Sequence, residues 1–538
     1  MKILYNAQIN TLNPQQPTAS ALVIDHQRIL ALGDDQQMLS EFAGQGEQED
    51  LGGRTIIPGL TDAHIHLQHY ALGLSKVNCE TPTKEACLQS VAARAAQTPP
   101  GEWVLGHGWN QNDWPDGNFG NASDLDAVAS HNPVYLTAKS LHAGWANSLA
   151  LTEANVSAHS REPEGGRIQR DDRGEPTGIL FENAMTLVAN AIPNPQPEEL
   201  AETLKLARAT LWKLGITGVH DFDQQLCFQA LQILHARDEL RLRVTKSIPL
   251  ESLSHAVEIG LRTGFGDDLL RIGSIKAFAD GALGPRTAAM IQPYEDEPGN
   301  RGMLLLDAEE IFERGRLAVD HGLSLAIHAI GDRANHEVLN AFSQLRGYEQ
   351  ARMSGIQNQD KTRQLRHRIE HVQIIHPQDI PRLSRLGVIA SMQPIHVTSD
   401  YPAAERCWGE RSEFSYAWKT LLAQGTHTAY GSDAPVESPN PFWGLHAAVT
   451  RCCLDGRPGP DGWYPDQKLA ITEAMHGYTT GAAYAANMED RLGKLAPHYY
   501  ADLLVLETNP LNCDPEQLIE LTPSATMVNG EWVFRTFG

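Results

Sequence analysis

Two histidines one residue apart, His64 and His66, stand in the stretch Ile56-Ile57-Pro58-Gly59-Leu60-Thr61-Asp62-Ala63-His64-Ile65-His66-Leu67. The apolar run after the Pro-Gly corner reads as a strand. A strand alternates its faces with period two, so both imidazoles point the same way. Two imidazoles on one face of a buried strand can share a divalent cation. Two unrelated histidines, one of them satisfied in a core, give the same pattern. The metal reading therefore depends on further ligands elsewhere in the chain.

Four more metal-capable residues stand in or at the ends of apolar runs. Lys276 lies in Ile275-Lys276-Ala277-Phe278-Ala279-Asp280-Gly281, and His328 ends Leu325-Ala326-Ile327-His328. His371 follows Arg368-Ile369-Glu370, and Asp433 ends Ala429-Tyr430-Gly431-Ser432-Asp433. Each has an ordinary explanation. His328 alone reads as a core histidine, and Asp433 as the cap of a following helix. His367 competes with His371, which is preferred because it is nearer the strand's end. Lys276 is the odd member: a lysine in an apolar strand must be neutral, paired or modified, because burying a bare ammonium is costly. Taken jointly, the ordinary explanations need five coincidences at strand ends.

Elements must position these residues. A helical run from Leu200 to Leu214 stops at Gly215 and feeds Ile216-Thr217-Gly218-Val219-His220. Asp307 with Glu310 makes a capping-box start. The helix it opens runs to His321, Gly322 stops it, and a strand follows at 323–328. Further strand candidates are 60–67, 216–221, Arg243–Ile248, Ile272–Phe278, Ile369–Ile374, Val388–Met392 and Thr428–Ser432. Strand–helix alternation implies a parallel sheet. Eight strands predict an α/β fold, a (β/α)8 TIM-like barrel with its site at the C-terminal strand ends. On that count the candidates fall on strands one, four, five, six and eight.

The expected domains are a small β-sandwich from residues 1–55 and 485–538, the barrel from 56–74 and 206–484, and an inserted α+β domain at 75–205. The sandwich rests on short strands near the start and on Asn529-Gly530, a hairpin signal between Met527-Val528 and Trp532-Val533-Phe534. The insertion is read as a domain because structureless loops of that length are rare. It is expected to close over the strand ends, with Trp109, Asn110 and His142 as candidate pocket lining. Packing inside the insertion is the competing role for Trp109.

Bulk properties narrow the class. Of 538 residues 41 % are hydrophobic, enough for a large core, and no low-complexity tract appears. Acidic residues outnumber basic ones, 66 to 43, which argues against nucleic acid or an anionic membrane as partner. The seven cysteines form no Cys-x-x-Cys pair, so neither a disulfide scaffold nor a thiolate zinc site is indicated. The start lacks the apolar run of a signal peptide and no stretch is long enough to span a membrane. The expectation is a cytoplasmic protein whose partner is a small-molecule substrate, with a homodimer left open.

The stretches Pro58 to His66, Lys276 to Gly281, His328-Ala329-Ile330-Gly331-Asp332-Arg333-Ala334, Arg368 to His371 and Gly431-Ser432-Asp433-Ala434-Pro435 resemble the amidohydrolase superfamily. Within it they resemble the YtcJ-like branch, which includes N-substituted formamide deformylases. The likeness extends into the insertion, at Trp109, Ser140-Leu141-His142 and Asn147-Ser148. It implies a barrel with a β-sandwich from both termini and one or two divalent ions, zinc foremost. It implies His64, His66, His328, His371 and Asp433 as ligands, and a carboxylated Lys276 bridging two metals. The alternative for Lys276 is an unmodified amine, neutral or paired with Asp280, beside a single metal.

The resulting expectation is a metal-dependent hydrolase of C–N bonds other than peptide bonds, with amide or formamide substrates. A metal would lower the pKa of water and polarise the carbonyl, and Asp433 would serve as general base and then acid. Amino-heterocycle deaminases of the superfamily usually carry a Glu three residues after the fifth-strand His. Here that residue is Gly331, followed by Asp332. Ester or carbamate hydrolysis uses the same machinery. A catalytically inactive binding protein is the reading from another class, opposed by the full set of ligand types.

Overall fold

The computed structural model describes residues 1–111, 114–115, 117–139, 142–354 and 364–537. Ser140 and Leu141 lie outside them. The chain divides into two units, Met1–Tyr70 with Leu200–Gly538, and Ala71–Glu199.

In the first unit eight parallel strands form one sheet. They are β1 Leu60–Ile65, β2 Ile216–Asp221, β3 Arg243–Pro249, β4 Leu270–Phe278, β5 Leu325–Ala329, β6 Arg368–His371, β7 Ile389–Met392 and β8 Thr428–Tyr430. Each pairs with its neighbours in sequence order. The two edges meet beyond β8: Ile65 bridges Ala434, the Asp433 N–H donates to His64 O (2.7 Å), and the His66 N–H donates to Ala434 O (2.9 Å). The sheet thus closes into a (β/α)8 barrel. Its strands are buried on both faces, as helices on the outside require.

Local signals set the helices between them. The helix Pro197–Lys213 ends before Gly215, whose φ of 85° suits a glycine stop. Asp307 and Glu310 cap Ala308–Asp320 reciprocally. Strand six ends at His371, short of the expected Ile374, because His371 (φ 75°) and Val372 (φ 44°) turn the chain.

Both termini build a two-sheet β domain against the barrel. One sheet has four strands from the N-terminal segment. The other has six, joining Leu503–Leu506, Ala525–Val528 and Glu531–Arg535 to Thr55–Pro58, Gln8–Asn10 and Thr18–Ala19. Asn529 (φ 54°) and Gly530 (φ 75°) make the hairpin turn that the sequence signalled. Thr55–Pro58 pairs with Leu503–Leu506, so the chain enters the barrel at Gly59 and not at residue 56. Arg243 at the start of β3 clasps Asp502 through Nε (2.5 Å) and Nη2 (2.9 Å), tying the barrel to this domain.

The second unit holds a six-stranded mixed sheet in the order Gly166–Arg170, Pro176–Glu182, Ala143–Ala146, Val134–Ala138, Val104–Trp109 and Val77–Asn78. Its boundaries lie a few residues before those expected from sequence. No described helix is long and apolar enough to cross a membrane.

Candidate metal centre

At the C-terminal end of β1, His64 and His66 present their rings 5.8 Å apart. Their Nε2 atoms lie 3.5 and 3.4 Å from the same oxygen, Oδ1 of Asp433. These donors all fall within 4.8 Å of one another. Asp433 reaches this position from a left-handed backbone, φ 60°. Asp62 staples the segment to β1: it accepts from the His64 N–H (3.1 Å), the Ser432 N–H (3.0 Å) and the Ser432 hydroxyl (2.5 Å). Gly431 is required there, since a Cβ would stand 2.4 Å from His64 N.

The other ring nitrogens are tied to carboxylates. His64 Nδ1 is 2.7 Å from Glu370 Oε2, and His66 Nδ1 is 3.1 Å from Asp223 Oδ1. A carboxylate accepts from an Nδ1–H, which leaves the Nε2 lone pair free for a cation. Arg368 grips Glu370, Nη2 to Oε2 at 2.9 Å and Nε to Oε1 at 2.5 Å. Asp223 is shared: Oδ1 also meets His69 Nδ1 (2.7 Å), and Oδ2 accepts from the Gln68 N–H (2.5 Å).

His371 stands beside His64, ring centroids 5.0 Å apart. Strand alternation would send Glu370 and His371 to opposite faces. The positive φ at His371 breaks that alternation, so consecutive residues both serve one site. Its Nδ1 is 2.8 Å from Gln393 Oε1. His396, from the segment after β7, joins His371 and Asp433 in a second set of donors within 4.8 Å. His328 packs on His371 at 4.5 Å, and its Nε2 lies 2.9 Å from Gly281 O. Lys276 Nζ hangs over Phe222 (4.6 Å) and Phe278 (4.9 Å). Asp280 is not its partner: that carboxylate accepts from the N–H groups of Ala289, Ile330 and Gly331. His367 sits at the opposite end of β6, stacked on Phe342 and accepting from the Leu325 N–H.

Electrostatics set His66 apart from the other histidines: burial lowers it, but Asp223 and Asp433 outweigh burial and raise it to about 9, so a cation bound there would displace a proton. Burial, with Lys276 nearby, pushes His64 down to about 4 and His328 to about 3. Burial and His328 hold His371 well below the usual imidazole range. All three are neutral ligands-in-waiting at neutral pH. Burial opposes ionisation of Asp433 and Glu370, yet the imidazoles of His64 and His66 around Asp433, and the Arg368 guanidinium beside Glu370, outweigh it and hold both well below the carboxylate range. Burial pushes Lys276 down to about 8, against the pull of Glu370 and Asp433.

The three residues expected to line a pocket all belong to the inserted unit. Trp109 does not line one. It is 0 % exposed, packs with Trp114 and Trp145, and donates to Leu136 O (3.0 Å). Asn110 follows its strand, half-buried. His142 is exposed with its Nδ1 2.9 Å from Glu182. Sequence reasoning passed over Asp223, Arg368, Glu370, Gln393 and His396. Arg368 and Glu370 carried the signal that singled out Lys276, a charge inside an apolar strand.

The donor set fits a divalent ion of zinc's class: one buried and one half-buried imidazole with oriented lone pairs, one ionised carboxylate and no thiolate. The model of the amidohydrolase family matches residues 47–534. The YtcJ protein of Bacillus subtilis (strain 168) is 31 % identical over 99 % of both chains. N-substituted formamide deformylase of Arthrobacter pascens is 28 % identical over 98 % of this chain and 97 % of its own. The crystal structure of an uncharacterized metal-dependent hydrolase from Pyrococcus furiosus superposes with a TM-score of 0.78 at 28 % identity, covering 95 % of this chain and all of the other. With the barrel, the convergent donors and these likenesses together, the chain belongs to the amidohydrolase family and is a metal-dependent hydrolase.

Proposed function

We propose that the barrel hydrolyses a C–N bond other than a peptide bond, in an amide, formamide or related substrate. His64, His66 and Asp433 would hold the divalent ion, most simply zinc. The observation that carries this reading is the convergence of two oriented Nε2 atoms on one Asp433 oxygen. When bound, the ion supplies a Lewis acid for the carbonyl and lowers the pKa of the attacking water. Asp433 takes the water's proton and returns it to the leaving amine. Its Oδ1 faces the histidine pair, and its Oδ2 faces His396 at 3.9 Å. A second ion would be held by His371, with His328 packed on it at 4.5 Å, and Lys276 would join them as the CO2 adduct of its amine. A mass increment of one CO2 on the Lys276 peptide, lost in acid, checks that adduct.

Amino-heterocycle deamination is disfavoured at one position. A Cβ on Gly331 would lie 2.0 Å from Ala289 O, so no acid can stand there. The next residue, Asp332, spends its carboxylate on the Ile291 N–H (2.7 Å). The likeness to a formamide deformylase points the same way. Esters and carbamates remain substrates that the same groups would turn over.

A panel of N-formyl and N-acyl amines, with esters, carbamates and amino-heterocycles alongside, tests this. Release of amine from the first two classes is the expected result. Ammonia from the heterocycles alone would replace the reading with deamination, and turnover of none by zinc-loaded protein would remove it.

A further inference from the structure

We propose that Glu370, held by Arg368, is a positioning residue that fixes His64 as a metal ligand. The assignment rests on the metal reading above, and it concerns a residue with no ligand role of its own. Glu370 touches two groups. One oxygen is 2.7 Å from His64 Nδ1 and 2.9 Å from Arg368 Nη2, and the other is 2.5 Å from Arg368 Nε. The side chains of His64 and Glu370 are 1 % and 0 % exposed, so bulk water does not compete for the contact.

A neutral imidazole keeps one proton, and its tautomers differ in which nitrogen has the lone pair. A carboxylate only accepts. Glu370 against Nδ1 therefore selects the Nδ1–H tautomer and turns the Nε2 lone pair toward Asp433. Phe222 stacks on the ring at 4.2 Å and fixes its plane. An unpaired carboxylate buried there would be costly, which explains Arg368. Its guanidinium also donates to Ala63 O (2.8 Å), beside His64 in the chain, and meets His220 Nδ1 (2.9 Å) and Ser391 Oγ. Arg368 and Glu370 are two apart on β6 and face the barrel interior together. One guanidinium thus links β1, β2, β6 and β7 behind the histidine.

The second histidine is anchored differently. Asp223 divides itself among His66, His69 and the N-terminus of the helix Leu67–Ser75, so its loss would disturb the helix as well. Glu370 has no such duty, which makes its contribution separable.

The experiment titrates metal-free protein with Zn²⁺ and Co²⁺ against a chromophoric chelator, and records Co²⁺ d–d bands and the Tm of the metal-free form. Glu370→Gln keeps the size and removes the charge, and affinity is expected to fall about 10- to 100-fold. Glu370→Asp keeps the ion pair with Arg368 while drawing back from His64. Its metal-free Tm is expected near wild type, with weakened affinity and altered Co²⁺ bands. This second variant decides the matter if the first does not fold. A purely structural Glu370 gives the reverse: lowered Tm in both variants, but wild-type affinity and bands in the folded protein. That result overturns the assignment alone. Wild-type protein that binds no ion overturns it together with the metal reading.

Discussion

Strand β1 of the barrel and the strand Val104–Trp109 of the inserted unit look alike on paper. One leads through Ala63-His64-Ile65 to His66 just past its end, the other ends in Gly106-His107-Gly108-Trp109, and both follow apolar residues. In the barrel the polar ends of β1, β6 and β8 converge, because a closed parallel sheet aims its strand ends at one centre. In the inserted unit the sheet is open, so a strand end has no common centre to face. Trp109 instead turns into a core of Trp114, Phe119 and Trp145 at 6.1 to 6.2 Å. Strand-end residues are brought together where the sheet closes, and a residue's type does not substitute for that closure.

Four substitutions break or sharpen the contrast. Trp109→Ala removes a fully buried ring and is expected to destabilise the inserted unit by about 3–5 kcal/mol, read by chemical denaturation. Lost turnover with an unchanged denaturation profile would return Trp109 to the site. Asp433→Asn keeps the size of a barrel strand-end group and removes its basicity. It is expected to keep the fold and at least one metal while kcat falls at least ~10²-fold, about 2.7 kcal/mol of barrier. Near-wild-type turnover by metal-loaded variant would take the base role from Asp433. Gly331→Ala forces a methyl against Ala289 O, and thermal denaturation should record a loss of about 1–3 kcal/mol. A stable variant would mean the loop yields, and the steric case against an acid there would fail. His142→Ala, on an exposed side chain of the inserted unit, should change stability by less than about 0.5 kcal/mol and leave metal content alone.

The sequence carried the barrel because local signals, the stops at Gly215 and Gly322 and the cap at Asp307, mark off the strands at 216–221 and 323–328, and apolar runs mark the others. It singled out Lys276, His64, His66, His328, His371 and Asp433 because each is chemically out of keeping with its apolar surroundings; of these the structure gathers His64, His66 and Asp433 into one set of donors and His371 with Asp433 into another, and His328 joins neither. What was illegible depends on neighbours far along the chain. Glu370 meets His64 across 306 residues, and Asp223 meets His66 across 157. His396 follows β7 in the first turn of a helix, where a histidine draws no attention. Thr55–Pro58 reads as the approach to β1, and only its pairing with Leu503–Leu506 assigns it to the terminal sheet.

The central claim is that the β1 histidines and Asp433 hold a catalytic divalent ion. Elemental analysis of purified protein, followed by chelation and reconstitution with turnover of an N-formyl amine as readout, tests it most directly. The account predicts one to two equivalents of a zinc-class metal per chain, activity lost on chelation and restored by Zn²⁺, Mn²⁺ or Co²⁺, and no restoration in a His64→Ala, His66→Ala double variant. Protein that carries no metal, and hydrolyses the substrate equally with and without added ions, would contradict it.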